Sequence, residues 1–154
     1  MANQKILVPY NFTSNDEKAL DYVIQRYGED QNAEVTLFHA YIPVPSIEVS
    51  DKTVMKRLVG SLSYLQQRIS ECETEIKKAR DRLIDAGFAS GRVHYVFKPQ
   101  EKDVAREIIE VAREGAFTAI ILNRDPSKIA RFFKTSVSKK VSKALKDINL
   151  YMVS

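Results

Sequence analysis

Three hydroxyls, Thr135, Ser136 and Ser138, stand at the start of a basic helical stretch, and Arg124, Lys128, Arg131 and Lys134 precede them. Hydroxyls beside the free N–H groups of a helix start favour an anion, and nearby cations add to that. The same residue types also serve as plain N-caps, so Thr135 or Ser136 has a bland reading as well. The surrounding segment, "LNRDPSKIARFFKTSVSKK" (122–140), holds no glycine, and the last glycine of the chain is Gly115. Phosphate loops use glycine to reach positive φ and to bring bare backbone N–H groups to the oxygens. Other chemistry is thinly represented. His39 and His94 are the only histidines and Cys72 the only cysteine, with no carboxylate at ligand spacing, so no metal site is expected. No G-x-S-x-G elbow and no paired carboxylates at strand ends suggest nucleophilic or acid–base catalysis, and the chain is read as not an enzyme.

Charge is uneven. Residues 124–154 carry 8 Lys/Arg and 2 Asp/Glu, a net +6, whereas residues 1–123 carry 16 and 18, a net −2. Lys139, Lys140, Lys143 and Lys146 alternate with Val137, Val141, Ala144 and Leu145, the pattern of a surface helix. A nucleic-acid surface would be the sharper reading, but no reading motif accompanies the lysines, and nucleic acid is disfavoured. A single cysteine fits a reducing compartment. No apolar run approaches the roughly 20 residues of a membrane span, and "MANQKILVPY" has no signal-peptide h-region. A cytoplasmic protein without membrane association is expected.

The elements that must position these groups alternate. "KILVPY" (5–10) is an apolar run without alternation, as in a strand covered on both faces. Ser14 and Glu17 have the spacing of a capping box, and Leu20, Val23, Ile24 and Tyr27 then recur at helical intervals, with Gly28 as a stop. "AEVTLFHAYI" (33–42), "GRVHYVFK" (91–98), "FTAIIL" (117–122) and "INLYMVS" (148–154) read as strands. A helix over 101–116 carries Val104, Ile108, Val111 and Ala112 on one side and ends at Gly115, and a last helix is expected over 136–146. Between Asp51 and Ala86 apolar residues fall at Val54, Leu58, Leu62, Leu65, Ile69, Cys72, Ile76, Ala79 and Leu83. A helix of that length outreaches a small sheet, so a break or loose start near Gly60–Ser63 is expected, with the main helix over 62–86. The alternative is an overhang that meets a partner subunit, since the spacing is close to a heptad. Five strands alternating with four helices make a Rossmann-like α/β fold, a doubly wound five-stranded parallel sheet of order 3-2-1-4-5, in one domain over 1–154.

In such sheets ligands bind beyond the carboxyl ends of the strands, where the winding reverses. That rule selects Pro9–Thr13, His39–Ile42, Lys98–Glu101 and Leu122–Ser136. The segments "KILVPYNFTSNDEKALDYVI", "AEVTLFHAYIP" and "KTSVSKKVSKAL" resemble the universal stress protein family in order and spacing over essentially the whole chain, least so between residues 44 and 90. The resemblance implies a Rossmann-like domain, commonly a homodimer, from a family with an ATP-binding branch and a branch that does not bind ATP. The ATP-binding branch has an Asp at the end of the first strand and G-x-x-G, nine residues, then G-[ST] after the fourth. Here Asn11 takes the Asp position, and Leu122, Asp125 and Thr135 take the three glycine positions, while Ser136 is kept. Pro126 removes one further backbone donor.

The resemblance therefore implies a stress-response regulatory module of the non-ATP-binding type, without a cofactor, and with a degenerate nucleotide pocket. Its residues are Pro9, Tyr10, Asn11, Ala40, Ile121, Leu122, Asp125, Thr135, Ser136 and Val137. The alternative is a nucleotide (ATP or AMP) switch or weak nucleotide hydrolase using Thr135, Ser136 and the basic residues, with a small anion at the start of the last helix. A lesser one is an interaction protein acting through the basic C-terminal helix. The closing strand, Ile148 to Val153, would be an apolar edge, and the resemblance implies that it pairs with its copy in a homodimer.

Overall fold

The computed structural model describes residues 4–12, 16–44, 52–123, 144–145 and 147–153, with the side chains of 53–59 and 123 excepted. Five strands, β1 (Lys5–Pro9), β2 (Glu34–Tyr41), β3 (Val93–Pro99), β4 (Ala119–Asn123) and β5 (Asn149–Val153), form one sheet of order β3-β2-β1-β4-β5. Every pairing is parallel. The strand order matches expectation, but the helix count does not. Three α-helices are found among the described residues, not four: α1 (Asp16–Tyr27), α2 (Lys52–Asp85) and α3 (Val104–Glu114), with a short 3-10 turn at Ser90–Arg92. The fourth expected helix, 136–146, falls almost wholly outside the described residues, as does Ser14 of the expected capping box.

Side-chain alternation along the strands builds two cores. Ile6, Val8, Val35, Leu37, Val93, Ala119 and Ile121 meet Leu20, Val23 and Tyr27 of α1 and Ile76, Ala79 and Leu83 of α2. On the other face Leu7, Phe38, Ile120 and Leu122 meet Ala105, Ile108 and Ala112 of α3, with Leu145. Two helices on one face and one on the other is how right-handed crossovers wind outward from β1 in both directions. In α3 the buried residues are Ala105, Glu107, Ile108 and Ala112, whereas Val104 is 39% exposed. Of the expected apolar side, Ile108, Val111 and Ala112 do pack on the sheet and only Val104 does not, while Ala105 and a glutamate join the buried side.

The expected break near Gly60–Ser63 is absent. Helix α2 runs unbroken for 34 residues, about 51 Å at 1.5 Å per residue. A Cβ added at Gly60 would meet nothing within 4 Å, so no close approach requires a glycine there. An interior glycine costs about 1 kcal/mol, too little to end a long helix. The ion pairs Arg68–Glu71, Lys77–Glu73 and Lys78–Glu75 lie one turn apart along it. Among the described side chains of α2, the fully buried ones begin at Ile76, and Tyr64 and Leu65 remain 63% and 42% exposed. The first half of α2 therefore projects past the sheet.

Helix α3 ends in a Schellman arrangement. The Phe117 N–H donates to the Ala112 carbonyl at 3.1 Å and the Ala116 N–H to the Arg113 carbonyl at 3.3 Å. The left-handed position falls on Ala116 (φ 54), not on Gly115, whose missing Cβ instead makes room for the Phe117 ring. An L-residue with a Cβ is strained in that region by roughly 1–2 kcal/mol. Ala116→Gly is accordingly expected to stabilise the fold by about 0.5–1 kcal/mol after glycine's entropic cost, seen as a higher urea midpoint at unchanged slope.

Candidate functional site

The winding direction reverses between β1 and β4, and in such sheets the carboxyl ends of the strands at the reversal are where a ligand would sit. The register fixes a row of side chains on the α3 face. Ala40 pairs with Lys98, Pro9 with Phe38, and Leu7 with Ile120, so Lys98 and Ala40 share the face of Pro9 and Leu122 but stand two residues further along the strands, with Phe38 level with Pro9. Pro9 and Leu122 are buried; Ala40 and Lys98 are only half-buried.

Tyr10 and Ile121 are expected in the same pocket, but the alternation sends them to the opposite face, where they pack with the α1/α2 core. That face is closed by aromatic rings at the same height. Phe12 sits edge-on to Tyr10 (5.0 Å) and to His39 (4.6 Å), and Phe97 contacts His39 (5.9 Å) and Tyr41 (4.7 Å). Phe12 has φ 60, unusual for a bulky residue, at the turn into α1. Two hydrogen bonds hold that turn: the Asn11 N–H donates to Asp16 Oδ1 at 3.2 Å, and the Tyr10 N–H to the Phe38 carbonyl at 2.7 Å. Asp16 is 1% exposed, while Asn11 itself is exposed. Burial, and then the neighbouring Asp16, push the Tyr10 phenol up to about 12, so it stays protonated.

His39 is a structural histidine. Its Nδ1 lies 2.8 Å from the Tyr10 carbonyl, an acceptor, so Nδ1 carries the proton and donates. Burial lowers its pKa, against the opposing pull of that hydrogen bond. Between the folded and unfolded values the unfolded chain binds more protons, so this contribution is full above the ordinary value of 6.5 and is lost as pH falls through it. Urea midpoints should therefore drop between pH 7.5 and pH 5.5, and His39→Gln should flatten the drop.

Glu107 is the residue that sequence reasoning missed. It is 1% exposed, in the first turn of α3. Its Oε1 accepts the N–H groups of Glu101 (3.1 Å) and Lys102 (3.0 Å), and its Oε2 lies 2.9 Å from Lys98 Nζ. Burial alone would raise its pKa, but the Lys98 ammonium and the two backbone donors outweigh burial and hold it below the usual carboxylate range. Lys98 falls within a stretch picked out by the strand-end rule; nothing local to Glu107 marks it except an acidic residue on an apolar helix face. Cys72, half-buried on α2, has a thiol pKa raised by burial, which suits packing more than reactivity.

Asp125, Thr135, Ser136 and Val137, with Arg124, Lys128, Arg131, Lys134 and the lysines of 139–146, lie outside the described residues. Among the described residues no three His, Cys, Asp or Glu side chains gather as for a metal, and no helix is long and apolar enough to cross a membrane.

A parallel sheet of order β3-β2-β1-β4-β5 with the winding reversed at β1/β4 defines a Rossmann-like α/β fold. The sequence profile of the universal stress protein family matches residues 2–146, and the chain belongs to that family. No curated protein matches it. Among solved structures, a universal stress protein in complex with cAMP is 19% identical, with a TM-score of 0.66 over 99% of this chain and 98% of that one. The universal stress protein of Archaeoglobus fulgidus in complex with dAMP is 15% identical, with a TM-score of 0.61 over all of both chains. A family protein from Burkholderia pseudomallei is 18% identical, with a TM-score of 0.60 over 97% of this chain and 94% of that one.

Proposed function

We propose that the chain is a regulatory stress-response module, not an enzyme, that binds a purine nucleotide with a single phosphate in the β1/β4 crevice. The observation that carries this reading is a strand-end face on which the half-buried Ala40 and Lys98 stand beyond the apolar Pro9 and Leu122, the latter two on the strands between which the winding reverses. Two relatives solved with cAMP and dAMP support a monophosphate in particular. The glycine positions held by Leu122, Asp125 and Thr135 tell against a triphosphate cradle, since they crowd the loop and add a negative charge. They bear less on a base seated beside Ala40. Nucleotide binding of this kind is therefore favoured over the reading of a pocket that takes no nucleotide.

Calorimetry with AMP, cAMP, ATP and inorganic phosphate tests it. A dissociation constant on the order of 10 μM for AMP or cAMP, with ATP at least about tenfold weaker, is the expected result. Ala40→Trp should abolish the heat by filling the crevice. Silence with every nucleotide at millimolar concentration would return the chain to the non-binding type.

The homodimer belongs to the same proposal. Strand β5 has a neighbour on one side only, and Met152 on it is 44% exposed. An apolar edge of this kind invites pairing, here with the copy of Ile148–Val153 in a second subunit. Sedimentation at micromolar concentration should give twice the chain mass, and Met152→Lys should shift it toward the monomer. A monomer for the unaltered chain would refute the dimer.

A further inference from the structure

We propose that Lys98 contacts the ligand and sets which base the crevice accepts, by donating a hydrogen bond to an acceptor on the edge of the base. The inference rests on the nucleotide reading and adds a specificity residue to it. Lys98 is directly opposite Ala40 in the β2–β3 register and shares its face of the sheet. Its ammonium does not hang free on a flexible stem: Nζ is 2.9 Å from Glu107 Oε2 and 5.9 Å from the centre of the Phe38 ring. Glu107 is buried, and its other oxygen is held by the Glu101 and Lys102 N–H groups. The carboxylate is thereby fixed, and it fixes the ammonium. An ammonium has three N–H donors; Lys98 meets Glu107 as an ion pair in which Oε2 has no hydrogen-bond partner among the described residues, and the side chain is still 38% exposed, so donors remain for a ligand seated over Ala40.

Charge balance selects what such a donor recognises. Lys98 is offset by Glu107, and the nearby cations Lys102 and Arg106 are offset by Glu110 and Asp103. No net positive charge is left among these described residues at this end of the row to draw in a phosphate. A fixed donor in a balanced pair suits an uncharged acceptor, a ring nitrogen or carbonyl of a purine. Sites built to hydrogen-bond one partner discriminate strongly against ligands that lack it.

The competing role for Lys98 is to neutralise Glu107 and nothing more. Calorimetry with AMP and with ribose 5-phosphate, on the full chain, separates the two. In Lys98→Met/Glu107→Gln both charges leave together, so thermal unfolding should stay close to that of the unaltered protein. AMP should bind about 10- to 100-fold more weakly, while ribose 5-phosphate is unaffected and Lys98→Arg keeps most of the AMP affinity. Lys98→Met alone serves if the double variant does not fold. A folded variant that binds AMP as the parent does would overturn the proposal and leave the nucleotide reading intact. Equal losses for AMP and ribose 5-phosphate would move the contact to the phosphate and also overturn it. An unaltered chain that binds no AMP refutes both.

Discussion

Replacing Glu107 by Ala is expected to destabilise the protein by about 2–4 kcal/mol. The substitution removes the acceptor of two backbone N–H groups at Glu101 and Lys102 and the counter-charge of Lys98 at once. Breaking a buried pair typically costs about 3–5 kcal/mol, but the Lys98 side chain is 38% exposed and water can take over part of its solvation, which lowers the figure. Glu107→Gln keeps an acceptor for the two N–H groups and should cost about half as much. The pH dependence separates charge from shape. Glu107 titrates below its ordinary value of 4.5 in the folded protein, so between the two values the unfolded chain binds more protons. Its contribution is present above the ordinary value and is lost as pH falls through the folded one. Urea denaturation at pH 7 and at stepwise lower pH should show the gap between wild type and Glu107→Gln closing toward acid. A gap that stays constant to pH 3 would mean that the carboxylate charge contributes nothing.

Leu83→Ala should cost about 2–5 kcal/mol, whereas Leu65→Ala on the same helix should cost about 0.5 kcal/mol or less. Leu83 is fully buried, and its carbonyl takes the Phe88 N–H that closes the end of α2. Removing its side chain leaves a cavity between α2 and the sheet beside Ile76 and Ala79. Leu65 continues the same apolar stripe in sequence but lies on the projecting half of the helix and is 42% exposed. Denaturation midpoints of the two variants measure whether α2 stabilises the domain evenly along its length. Similar losses at both positions would mean that the projecting half is packed against the domain.

The strands were legible because β1 to β5 are short apolar runs bounded by turn residues, and burial on both faces leaves that mark in any sequence. The ends of α1 and α3 were legible too, through helical spacing and the stops at Gly28 and Gly115, whereas α3, expected from 101, starts at Val104. One reading failed for a physical reason. The break in α2 was inferred from the size of the sheet, but hydrogen bonds along a helix do not depend on whether a sheet lies beneath it. On α3, Ile108, Val111 and Ala112 face the sheet as their spacing requires, while Val104 is exposed and Ala105 and Glu107 are buried. The candidate pocket draws on both faces of the strand ends, with the side chain of Leu122 on one and those of Tyr10 and Ile121 on the other, as period-two alternation requires.

By itself, then, the sequence determined a parallel α/β sheet wound outward from β1 and the strand ends where a ligand would bind. Those features follow from local periodicity and from the handedness of crossovers, which nearby residues specify. Only the tertiary structure decided that α2 outruns its support, that aromatic rings close one side of the strand ends, and that Glu107 and Lys98 meet beside Ala40. Burial and ion pairing are set by elements distant along the chain, and no short stretch of residues encodes them alone.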